Sequence, residues 1–178
     1  MKLLRTIRLD PSDTFVFARA AESGEWAVAG AFVFAGADPE KMSGKVRAAF
    51  RSGFLGVQSL GWSTLVQIVE ATEQDRAALI DALARQLVDG FGAPDLSVAR
   101  AAAEEEVAFA ASLCDHPADT LIAVRRVHED GAIREAFRTL RPRAGAQRLR
   151  AFAFLEVEGE EEPNESVDLL GLAGEKRK

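Results

Sequence analysis

At 178 residues, with 48% apolar and 28% charged side chains, the chain is long enough to bury one core without disulfides or metals, and its composition is that of a soluble globular domain. A formal charge of −6 opposes attraction of the whole protein to nucleic acid or to an anionic membrane. A single cysteine, Cys114, excludes an internal disulfide and a multi-thiolate metal site, and the opening MKLLRTIRLD lacks the apolar run of a signal peptide or membrane anchor, so the expected address is the cytoplasm.

Arginine outnumbers lysine 17 to 5, which points to a GC-rich bacterial genome. Taken in chain order, the segments KLLRTIRL, TFVFARA and WAVAGAFVFA read as strands. In the last, Trp26, Val28, Gly30, Phe32 and Phe34 fall on one face and small residues on the other. ADPEKMSGKVRAAFRSG reads as a helix with Asp38 as N-cap, Pro39 in the first turn and Met42, Val46, Ala49 and Phe50 as the buried stripe. A glycine loop follows, and then a strand, WSTLVQIVEA. The run EQDRAALIDALARQLVDGFG repeats apolar residues at helical spacing through Ile80, Leu83, Ala84, Leu87, Val88 and Phe91, and is stopped by Gly92 and Pro94.

PDLSVARAAAEEEVAFAASLCDH is a further helix, ended by Pro117. TLIAVRRVHEDGAIREAFRTL is a β-hairpin turning on Asp130-Gly131, a pair suited to the type I′ turn. That register sets Arg126 against Glu135 and Val124 against Phe137, matching opposite charges and apolar partners. LRAFAFLEV supplies one more strand. The expected fold is α+β: a mostly antiparallel sheet of about five to six strands packed with three main helices. A single domain would span 1–158, with an acidic-to-basic tail at 159–178 that holds a docking segment, VDLLGL.

Glycines at 53, 56 and 61 raise the possibility of a phosphate cradle. Phosphate loops lead from a strand into a helix N-terminus, whose free N–H groups attract anions. Here a helix runs into the glycines and a strand follows, so the nearer helix end is the one that repels anions, and no GKS or GKT follows. The loop instead reads as a helix C-cap at Gly53 and a bent entry into a strand. At least one of Gly53, Gly56 and Gly61 is then expected to take a positive φ. Phe54, Leu55, Leu60 and Trp62 become lid residues, with Phe54 and Trp62 as candidate binding residues on the rim of a pocket.

Cys114, Asp115 and His116 are adjacent, but neighbouring residues rarely aim at one another, and Cys114 falls on the apolar stripe of its helix. It reads as a buried hydrophobe. With His116 and His128 the only histidines, no metal site is expected, and no cofactor is implied. Glu106 falls in the apolar sector of the same helix, where a carboxylate needs a partner or a raised pKa. It is either paired with a hairpin arginine or a weak candidate for general acid or base.

Eight arginines lie between 125 and 150 against three acids. Arg125, Arg134 and Arg138 share one hairpin face and are candidate binding residues. Aromatic residues do not interleave with them, so nucleic acid is the weakest of their possible partners. The distinctive segments GEWAVAGAFVF, RAAFRSGFLGVQSLGWSTLV, FGAPDL and AAAEEEVAFAASLCDHPADTLIAVRR resemble an uncharacterised alphaproteobacterial family of the domain-of-unknown-function kind, over residues 1–143. That resemblance implies a bacterial, cytoplasmic protein and carries no activity. Two readings stand: a non-enzymatic accessory module binding a protein partner or a second copy of itself, or a small-molecule anion-binding protein or enzyme using Glu106 with a hairpin arginine.

Overall fold

The computed structural model describes residues 1–142 and 155–158. Its elements in chain order are β1 (Lys2–Ile7), α1 (Ser12–Val16), β2 (Trp26–Val28), a 3-10 turn (Ala31–Phe34), α2 (Gly44–Ser52), β3 (Phe54–Gly56), β4 (Trp62–Ser63), β5 (Leu65–Glu70), α3 (Glu73–Phe91), α4 (Leu96–Ser112), β6 (Leu121–Glu129), β7 (Ala132–Pro142) and β8 (Leu155–Glu158). All strands pair antiparallel in one eight-stranded sheet, in the order β4-β3-β2-β1-β5-β6-β7-β8. The α+β class therefore stands, with more strands than the expected five to six and with four α-helices among the described residues.

The sheet is two meanders, β1–β4 and β5–β8, joined where β1 lies beside β5. One residue, Thr64, separates β4 at the edge of this order from β5 beside β1. The stretch β1–β4 must therefore roll round until its edge returns to β5, which makes the sheet a half-barrel. WSTLVQIVEA is thus one run bent at a corner. The corner is held by the buried carboxylate of Asp13, which accepts from the Thr64 amide at 3.1 Å and its hydroxyl at 2.5 Å.

Three early readings change. TFVFARA is not a strand: Ser12–Val16 is a short helix, and Phe17 then packs into the core. The strand at WAVAGAFVFA stops at Val28, because Gly30 takes φ 81° and turns the chain into the 3-10 segment. That turn stacks Phe34 on Trp62, with ring centroids 5.1 Å apart, and sets it edge-on to Phe50 at 5.3 Å. Helix α2 starts at Gly44 with Ser43 at its N-cap, while Asp38 accepts from the Glu40 amide within a turn. Gly44 has φ 53°, which breaks a helix begun at Pro39. Of the expected stripe, Met42, Ala49 and Phe50 are buried and Val46 is 54% exposed.

The two long helices follow their sequence signals. α3 opens on a reciprocal cap between Thr72 and Asp75 and ends at Gly92 in the left-handed conformation, φ 74°. Its buried face is Leu79, Ile80, Leu83, Ala84 and Leu87, while Phe91 is 38% exposed and meets Phe32 edge-on. α4, capped by Asp95, buries Ala99, Ala103, Val107 and Ala110. The hairpin turns on Asp130 (φ 52°) and Gly131 (φ 79°), in the expected register. Curling brings the inward Phe137 of β7 within 6.1 Å of Phe54 in β3 and 5.8 Å of Phe109 in α4.

Candidate functional site

The glycine loop does hold a carboxylate, and it is one of the chain's own. Glu25 is 8% exposed and lies against the loop. Its Oε2 accepts from the amides of Gln58 and Ser59, at 3.0 and 2.9 Å. Its Oε1 accepts from the Ser59 hydroxyl at 2.6 Å and the Glu22 amide at 2.5 Å. The main-chain donors that a phosphate would use are thereby occupied.

None of Gly53, Gly56 and Gly61 takes a positive φ, contrary to expectation. Each is a glycine for lack of space. A Cβ on Gly53 would lie 2.7 Å from the Trp62 ring, on Gly56 2.8 Å from the Glu25 carboxyl carbon, and on Gly61 2.6 Å from the Ala20 carbonyl oxygen. Phe54 and Leu55 are fully buried and Trp62 is nearly so, so they belong to the core and form neither lid nor rim. Beside the loop is an open cleft of about 480 Å³ lined by Arg5, Glu22, Gly24, Glu25, Trp26 and Ser59 among others. In it the Arg5 guanidinium lies 3.8 Å over the Trp26 ring and donates to the Gly24 carbonyl.

On the inner face of the hairpin sits a second ionic group. Arg126 is fully buried. Its Nε donates to Glu135 Oε1 at 2.6 Å, its Nη1 to the carbonyls of Gly53 (2.6 Å) and Phe50 (3.2 Å), and its Nη2 to the carbonyl of Ala29. The guanidinium thus closes the carboxyl end of α2, where carbonyls lack helical partners and a cation is favoured. It also ties β6 to the end of β2. The hairpin register had paired Arg126 with Glu135; the three carbonyls come from residues 73 to 97 positions away and carry no sequence signal.

Glu106 of α4 approaches the same group. Burial pushes its carboxyl above the usual carboxylate range and the nearby Glu135 adds to the shift, while Arg126 and the Gly30 N–H oppose it. Its Oε2 is buried without a hydrogen-bond partner. Two carboxylates therefore face one guanidinium whose hydrogen bonds go to Glu135 and to main-chain carbonyls. Glu106 and a hairpin arginine are brought together, but the arginine is committed to the fold. The cleft beside the glycine loop is not lined by Glu106.

The outer hairpin face carries Arg125, Val127, Arg134 and Arg138, as the register requires. Arg125 and Arg134 are exposed, Val127 is 43% exposed, and Arg134 pairs with Glu129 at 2.6 Å. Arg138 is half-buried. Arg141 lies in β7, and Arg143, Arg148 and Arg150 are outside the described residues. Cys114 is buried, its Sγ 3.4 Å from the Ala110 carbonyl, and burial pushes the thiol up to about 11. Among the described residues no three His, Cys, Asp or Glu side chains converge as metal ligands, and no helix is long and apolar enough to cross a membrane.

No curated protein and no solved structure matches the chain. A family model matches residues 1–158, reaching past the hairpin and through β8, where the sequence resemblance had stopped at 143. With the match extending over both meanders and the connecting helices, the chain belongs to a family of unknown function, DUF6505.

Proposed function

We propose that this protein is a non-enzymatic accessory module that binds a protein partner through the outer face of the β6–β7 hairpin. The observation that carries this reading is the division of the hairpin's charges. The inward Arg126 is fully buried on Glu135 and three carbonyls, while the outward Arg125 and Arg134, the latter paired with Glu129, are exposed on either side of the exposed Val127. Arginines around an apolar residue on a rigid strand pair suit a protein surface with acidic character. A second copy of the chain and a small anionic ligand are the other occupants of this face.

The test compares proteins crosslinked in bacterial cells to the wild type, to Arg125→Glu/Arg134→Glu, and to Glu106→Gln. Loss of the same crosslinked protein from the double variant alone, with its circular dichroism unchanged, supports the reading. Retention by the double variant refutes it.

One observation favours a second reading, in which Glu106 acts on a small ligand: its Oε2 is buried without a partner. Under that reading Glu106→Gln, and not the double variant, abolishes binding.

A further inference from the structure

Since every pairing in the sheet is antiparallel, β8 runs in the same direction as β1. Ile7, Leu65, Ala123 and Arg138 are successive cross-strand partners, so they lie on one line across the sheet and on its outer face. All four are half-buried. Glu158 pairs with Thr139, so β8 ends one residue short of this line and releases the chain at the end of the sheet where β1 passes into α1.

At that end three large apolar side chains are exposed. Phe15 is 73% exposed, Leu9 58% and Val16 40%. A small cavity of about 100 Å³ lies beside Leu9, lined by Ile7, Arg8, Leu9, Asp13, Thr64 and Leu65 among others. A side chain as large as Phe15 left this open, next to further open aliphatics, marks a docking surface more than a random exposure does.

We propose that the apolar segment 167–172 (VDLLGL) of this same chain docks there, on Leu9, Phe15 and Val16. Reach supports this occupant. From β8 to β1 is four strand spacings, about 19 Å at ~4.8 Å each. The residues 159–166 can span up to about 26 Å when extended at ~3.3 Å each, which exceeds the distance to β1 and leaves length to reach beyond its end. Charge supports the path, because 159–166 (GEEEPNES) is acidic in sequence and follows Glu158, whose partner Thr139 is next to Arg138 in β7, with Arg125 on the same face as Arg138. The partner-binding reading above is not needed for this inference.

The test uses the full chain carrying Leu170→Cys in a Cys114→Ala background, with a nitroxide on the new thiol and ¹⁵N in the main chain. The expected result is a loss of more than threefold in amide signal at Leu9, Phe15 and Thr64. That loss should be absent when nitroxide-bearing unlabelled chains are mixed with ¹⁵N chains lacking the nitroxide, and should disappear on Phe15→Asp, a change at an exposed position that leaves the core intact. Unaltered signals in the labelled chain would overturn the proposal. So would signal loss in the mixed sample, which would make a second copy the occupant, and so would signal loss that survives Phe15→Asp.

Discussion

A methyl group on Gly61 would sit 2.6 Å from the Ala20 carbonyl carbon and oxygen, and one on Gly56 would press on the Glu25 carboxylate. Neither neighbour can yield, since the first is backbone and the second is held by four hydrogen bonds. Gly56→Ala and Gly61→Ala should each destabilise by about 1–3 kcal/mol. Gly90, in α3 with open space around it, is the control: Gly90→Ala should stabilise by about 0.4–1 kcal/mol, all three read by denaturant titration. Glu106 gives a prediction in pH. Its folded pKa is raised, so its ionised form costs stability above that pKa, and the cost is relieved as pH falls toward the unfolded value. Glu106→Gln removes the repulsion from Glu135 without removing any hydrogen bond of Arg126. The variant should be at least as stable as wild type at pH 8 and should lack this contribution to the wild type's gain on mild acidification. Greater stability of wild type at pH 8 would show that the charged form is favoured. Cys114, buried with its thiol pushed up to about 11, should label slowly in native protein and rapidly once denatured.

At the scale of elements, Arg126 decides how the second meander meets the first. Arg126→Met leaves the carbonyls of Phe50, Gly53 and Ala29 and the Glu135 carboxylate without their donor, and should cost about 3–5 kcal/mol in a denaturant titration. Half of this arrangement was legible in the sequence. Asp130-Gly131 demands a two-residue turn, the turn fixes the register, and the register pairs Arg126 with Glu135. The other half was not, because a carbonyl acceptor has no side-chain identity to read. Glu25 was missed for the same reason: two of its partners are the amides of Gln58 and Ser59, and any residue supplies an amide. α3 was legible through its period and its stop at Gly92, and α4 through its apolar sector, but their N-caps, Thr72 with Asp75 and Asp95, were not read. β2 and α2 were not, because each boundary lies at a glycine, Gly30 or Gly44, whose positive φ overrides the pattern of its neighbours. The alternation in WAVAGAFVFA is real, but past Gly30 its aromatics are displayed from a 3-10 turn.

At the scale of the whole molecule, the sheet rolls because β4 continues into β5 through Thr64, and this settles the fate of its edges. The outer side of β4 is not open: Trp62 donates to the Arg19 carbonyl, and Ala21 donates to that of Trp62. Among the described residues the remaining edge is β8, whose sequence alternates Leu155 and Val157 with Glu156 and Glu158. A strand with one side unpaired is a template on which another chain can add, and charged residues along it are the usual guard. Replacing Glu156 and Glu158 by threonine should therefore turn a well-behaved solution into one that forms β-rich aggregates on standing, followed by turbidity and thioflavin fluorescence. The same substitutions at Glu104 and Glu105, exposed on α4, should leave the solution clear. With β4 covered by residues 19–21, β8 is the edge among the described residues on which a further strand could add.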